Sequence, residues 1–134
     1  MNEIFRDLGN VGIGVLLLAV MLVIGFFVFG AITKYNDIEQ LRKGNRAAGM
    51  YMGSKLLGLG IIIAMVSYTS FNWLELILWS IMGMCILSVL YVLLDFLTPR
   101  FDVCKEIERE NMAVAELLRA IIIAASIVIG TFLL

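Results

Sequence analysis

Long apolar blocks separated by short polar segments dominate the chain. Four blocks, at about 11–32, 47–68, 74–97 and 113–134, are apolar on every face rather than along one stripe. A hydrocarbon core about 30 Å thick needs roughly 20 apolar residues at about 1.5 Å each, so each block predicts a membrane-spanning helix. The polar interval after the first span predicts a brief interfacial helix, IEQLRK, capped by Asp37, with Ile38 and Leu41 on one face. Gly44 then suits a helix stop and Asn45 the N-cap of the second span. Residues 67–73, SYTSFNW, form a tight turn that leaves Tyr68 and Trp73 at headgroup depth. Thr98-Pro99 ends the third span, and residues 100–112 read as a second loop. Residues 1–10 read as a polar lead at the interface, with Ile4, Phe5 and Leu8 on one face.

Composition agrees with this pattern. The chain is 62% hydrophobic and its mean hydropathy is +1.02, well above a soluble domain's roughly half-apolar content. The expectation is an all-α membrane protein, a single integral membrane domain over 1–134 with no soluble module. MNEIFRDLGN carries two acids and one Arg, where a signal peptide has a positive leader, so the first block reads as a retained helix. Cys85 lies within an apolar block and Cys104 in a polar loop, without CxxC spacing, and both read as free thiols. The chain has no His and no cluster at metal-ligand spacing. No metal, cofactor or nucleic-acid partner is expected, and Ser/His/Asp catalysis is excluded. The eight Met residues are scattered and suit flexible apolar filling.

Sliding the second half back by about 66 residues superposes two hairpins. Asn45 falls on Asn111, Ala47 on Ala113, Gly49 on Ala115 and Ser54 on Ala120; Asp37 falls on Asp102 after one insertion. Repeats of about 11–68 and 74–134, each with two spans, enter from the same side and form parallel tandem copies rather than inverted ones. Lys34, Arg42, Lys43 and Arg46 lie at the first loop, and Arg100, Lys105 and Arg109 at the second; Lys55 and Arg119 share that half of the membrane. Only Arg6 lies opposite. The positive-inside rule then places loops 33–46 and 98–112 in the cytoplasm and both termini outside.

The pattern Asp-x-x-x-Leu-x-x-Gly-Asn-x-Ala-Ala, here Asp37, Leu41, Gly44, Asn45, Ala47 and Ala48, precedes a Gly-rich span and returns in degenerate form. In this the chain resembles the uncharacterised bacterial inner-membrane proteins of the YshE/YjfL type, a domain of unknown function. The resemblance covers essentially the whole chain. It implies a four-span plasma-membrane protein and brings no activity, ligand or catalytic residue. The second copy departs from the pattern, with Glu110 in place of the Gly and with Glu116 and Arg119 inside the span.

Ionisable residues within spans are costly and mark functional candidates. Lys55 is the deepest, about 12 Å into its helix at about 1.5 Å per residue. Glu116 and Arg119 are i, i+3 partners one and two turns into theirs, and Lys55 and Glu116 could pair across the bundle. Two readings follow: the three line a polar intramembrane site, or Lys55 and Arg119 snorkel to headgroups while Glu116 neutralises one of them. A second candidate is the junction at Asn45, where exposed helix N–H groups and Arg42, Lys43 and Arg46 could take an anionic headgroup; the alternative is that these basic residues only set topology. Gly49, Gly53 and Gly60 are the expected helix-packing positions. The glycine run lacks Gly-Lys-Ser/Thr, so it is no phosphate loop. The leading functional expectation is a non-enzymatic accessory protein that touches lipid or a membrane-protein partner, with a homo-oligomer plausible. The alternative is a small channel or transporter with Lys55, Glu116 and Arg119 lining its cavity.

Overall fold

The computed structural model describes residues 1–32, 36–97 and 103–134, without the side chains of residues 95–97 and 104. The readings of Lys34, Thr98-Pro99, Arg100 and Asp102, and of the Asp95 and Cys104 side chains, lie outside the described residues. The described residues form six helices: α1 (Asn2–Ile32), α2 (Asp37–Arg42), α3 (Arg46–Ser67), α4 (Trp73–Leu97), α5 (Val103–Glu108) and α6 (Met112–Leu133). Four of them are long and apolar enough to cross a membrane. The expected polar lead is instead the start of α1, which runs unbroken through Gly9, Asn10 and Gly12 into the apolar run. At about 1.5 Å per residue α1 is roughly 46 Å long, so its first turns extend past a core of about 30 Å.

Capping chemistry sets the short helices. Asn36, not Asp37, caps α2: its backbone is extended and its side-chain oxygen accepts from the Glu39 N–H at 3.2 Å. Asp37 becomes the first helical residue, and its carboxylate turns inward against α1. Gly44 adopts φ +78°, a conformation that suits glycine. Asn45 then caps α3, accepting from the Ala48 N–H at 3.1 Å, while its amide donates to Gln40 Oε1 at 2.9 Å. The second turn, read from sequence only as a loop, contains α5 and repeats these features. Glu110 takes φ +61°; Asn111 caps α6 through the Val114 N–H at 3.5 Å and donates to Glu106 Oε2 at 2.8 Å. At the opposite end, Asn72 accepts from the Glu75 N–H at 2.8 Å and the Glu75 carboxylate accepts from the Phe71 N–H at 3.0 Å, a reciprocal cap that starts α4.

Helix α3 is central. It packs most extensively on α6, then on α4 and α1. Leu59, Ile62 and Val66 of α3 meet Leu118 and Ile122 of α6 and Leu87 of α4 in the buried core. The close-approach positions are not those expected. At Gly53 and Gly60 an added Cβ would meet nothing within 4 Å, and at Gly49 it would make only an ordinary contact with Leu41. The buried stripe is Tyr51, Lys55, Gly58, Ile62 and Val66, and helical periodicity puts Gly53, Leu57, Gly60 and Ala64 on the opposite side. Gly58 is a position on α3 where α6 comes close: a Cβ there would run into the Ser126 hydroxyl. Helix α1 contributes least, burying only Met21, Gly25 and Phe29.

Candidate functional site

Lys55 is buried inside the bundle, only 3% exposed. Its ammonium sits over two rings, 4.0 Å from the centroid of Tyr51 and 4.8 Å from that of Tyr91. Tyr51 stands one turn before Lys55 on α3, so the helix itself aligns that pair. Tyr91 comes from α4 and is held by Phe29 of α1, whose ring meets it edge-on at 5.3 Å. A desolvated cation over aromatic faces gains up to about 2 kcal/mol. The snorkelling expected of Lys55 therefore does not occur: a polarisable cage inside the bundle holds the ammonium.

Asp37 completes the cluster from α2. It is 6% exposed, and its Oδ2 lies so close over Gly30 that an added Cβ there would be 3.1 Å away. Burial pushes the Asp37 carboxyl above the usual carboxylate range, and the charge on Lys55 opposes that rise. Among the described residues neither Asp37 Oδ2 nor the Tyr91 hydroxyl has a hydrogen-bond partner. Helices α1, α2, α3 and α4 thus converge on one polar cluster near the α2 end of the bundle.

Beyond Lys55 the interior becomes apolar. Leu59, Ile62, Ile63, Val66, Leu87, Leu118 and Ile122 fill it. The buried serine hydroxyls are closed onto their own helices: Ser54 donates to the Met50 carbonyl at 2.6 Å, Ser80 to Leu76 at 2.7 Å and Ser126 to Ile122 at 2.7 Å. Such back-bonding leaves none of these serine hydrogens aimed at the core.

The residues singled out from sequence are not brought together. Glu116 and Arg119 are exposed on α6, whereas Lys55 faces inward; the expected Lys55–Glu116 pair does not form. Phe29, Asp37 and Tyr91 come from three elements other than that of Lys55, so they carried no local signal. Tyr51 did, by its i−4 spacing from Lys55.

The second candidate also changes character. Arg42, Lys43 and Arg46 are exposed, but Lys43 pairs with Glu39 at 3.1 Å. The backbone N–H of Arg46 donates to Glu110 Oε1 at 3.1 Å, so the start of α3 already holds an anion of its own chain. Arg109 pairs with Glu106 at 3.5 Å. Acids interleave the basic residues at this end, and the Glu110 carboxylate occupies one of the helix N–H groups expected to take an anionic headgroup.

A helical bundle with four apolar spans, its buried charge gathered at one end and its polar caps in the connecting turns, defines a multi-pass integral membrane protein. The chain belongs to the family described as Domain of Unknown Function (DUF350), whose model matches residues 3–133. It is similar to the UPF0719 transmembrane protein YshE of Bacillus subtilis (strain 168), 32% identical over 129 residues that cover 96% of this chain and 93% of that protein. The resemblance read from Asp37, Leu41, Gly44, Asn45, Ala47 and Ala48 is borne out. No solved structure matches the chain.

Proposed function

We propose that this is a non-enzymatic accessory protein of the bacterial plasma (inner) membrane. It acts by contact with lipid or with a membrane-protein partner rather than by conducting a solute through its own bundle. The observation that carries the reading is the apolar core beyond Lys55. A solute path needs polar or wet lining across the membrane, and here the polar cluster is confined to one end while the core serines are closed on their own carbonyls. The uncovered length of α1 supports a contact role. Between α1 and α4 runs a groove of about 800 Å³ with an almost entirely apolar lining, including Leu17, Ile24 and Ile81.

In this reading the α2–α3 and α5–α6 turns face the cytoplasm and the α3–α4 turn faces outward. Arg42, Lys43, Arg46, Lys105 and Arg109 at the first two turns, and the lack of Lys and Arg at the third, support that orientation. The two halves are tandem parallel repeats. The matched caps at Asn45 and Asn111, with left-handed residues before both, support the relationship.

The test is thiol accessibility in intact cells, with both native cysteines replaced and single cysteines placed at Ile62, Leu87 and Leu118. A charged, membrane-impermeant maleimide should label a control cysteine at Phe71 and leave the three core positions unlabelled. Core labelling at the control's rate would reject the accessory reading and establish a water-filled path.

A further inference from the structure

We propose that a second copy of this chain docks on the outer face of α6, with Glu116 and Arg119 of each copy pairing across a twofold axis along the membrane normal. Both side chains are exposed, and both lie within the first two turns of a membrane span. They stand at i, i+3 spacing, yet neither pairs with the other or with any other described residue. Charges on the outside of a span are costly unless something answers them. Two opposite charges at a fixed offset on one helix make a surface that is complementary to itself. In a twofold contact residue i of one copy meets j of the other, and j meets i. Two α6 helices side by side, in the same orientation, bring Glu116 to the partner's Arg119 and Arg119 to the partner's Glu116. Four charges of alternating sign then share one site.

The rest of the face suits that contact. Glu116, Ala120, Ile123 and Ile127 recur at steps of four, three and four residues, the spacing that keeps a seam on one side of a helix. Ala120 beside the charges lets the helices approach closely. Ile123 and Ile127 supply apolar contact deeper in the span. The glycine face of α3, at Gly53 and Gly60, is equally open but carries no charge that would select an occupant. The dimer is independent of whether the protein also has an accessory partner.

The experiment is cross-linking of the full-length chain in native membrane vesicles, with Cys85 and Cys104 replaced and Ala120→Cys introduced. Oxidation should give a product of twice the chain's mass. Glu116→Arg alone and Arg119→Glu alone each place like charges at the site and should reduce the product at least about tenfold, as about 1.4 kcal/mol of repulsion would. The double variant with both changes restores the opposite signs and should return cross-linking to near its starting level. Comparable melting of all four proteins in detergent shows that each is folded. The proposal is overturned by any of four results. These are no product at position 120, a product at Gly53→Cys in its place, a product whose mass includes another protein, or a product insensitive to the single charge reversals. Insensitivity would mean that lipid headgroups answer each charge separately.

Discussion

The side-chain amide of Asn45 donates to the backbone carbonyl of Ile107 at 2.8 Å, joining positions 62 residues apart. The same amide reaches Gln40 Oε1, while its oxygen caps α3 at Ala48. One side chain therefore ties α2, α3 and α5 together at one end of the bundle. Asn111 occupies the matching position in the second turn but, among the described residues, makes only the local bonds. Replacing Asn45 by Ala should cost about 2 kcal/mol, from a lost cap of about 1 kcal/mol and a lost buried bond to the Ile107 carbonyl of about 1 kcal/mol. Asn111→Ala should cost about 1 kcal/mol. Melting in detergent checks the ranking, and equal losses would refute the bridging role.

Glu110 holds a left-handed backbone, φ +61°, at the place where the first turn has Gly44. Its carboxylate bond to the Arg46 N–H offsets that conformation. Glu110→Ala and Glu110→Gly both lose the bond, but only Ala keeps the backbone cost. Ala should therefore be less stable than Gly by about 1 kcal/mol in the same melting assay. Gly44→Ala should lose a similar amount, since it gains the cost with no bond to offset it.

Gly58 and Gly53 should respond oppositely to the same change. Gly58→Ala drives a Cβ into the Ser126 hydroxyl and should destabilise by about 1–3 kcal/mol. Ser126→Ala in the same chain should recover part of that loss. Gly53→Ala meets open space and should be neutral or stabilising by up to about 1 kcal/mol, the difference in helix propensity. Urea or thermal unfolding in micelles separates the two cases.

Asp37 should make stability depend on pH in a stated direction. Burial raises its carboxyl pKa in the fold above the ordinary value of 3.8, although Lys55 pulls it down. The folded state therefore binds the proton more tightly than the unfolded state, and stability falls as pH rises from about 3.8 through the folded value. Above that value the penalty is constant. Asp37→Asn should remove this slope and stabilise the protein at neutral pH relative to wild type. Lys55→Met, which leaves the carboxylate unopposed, should extend the slope to higher pH. Melting temperature against pH for the three proteins is the measurement, and a wild-type profile parallel to that of Asp37→Asn would sink the argument.

Much of this was legible along the chain. The four spans, the turn at 67–73, the positive φ at Gly44 and the cap at Asn45 depend on local apolar length and on backbone chemistry within a few residues. The turn pattern around them carried the family resemblance as well. What the tertiary structure alone decided is which face of each helix is buried. The glycines at 49, 53 and 60 looked like packing positions, but only the rotation of α3 against α6 selects Gly58 in their place. Lys55, Glu116 and Arg119 looked like one polar set because they share a depth in the membrane. Depth follows from position along a helix, whereas direction follows from how helices pack, and that packing turned Lys55 inward onto Tyr51 and Tyr91 and left the other two outside.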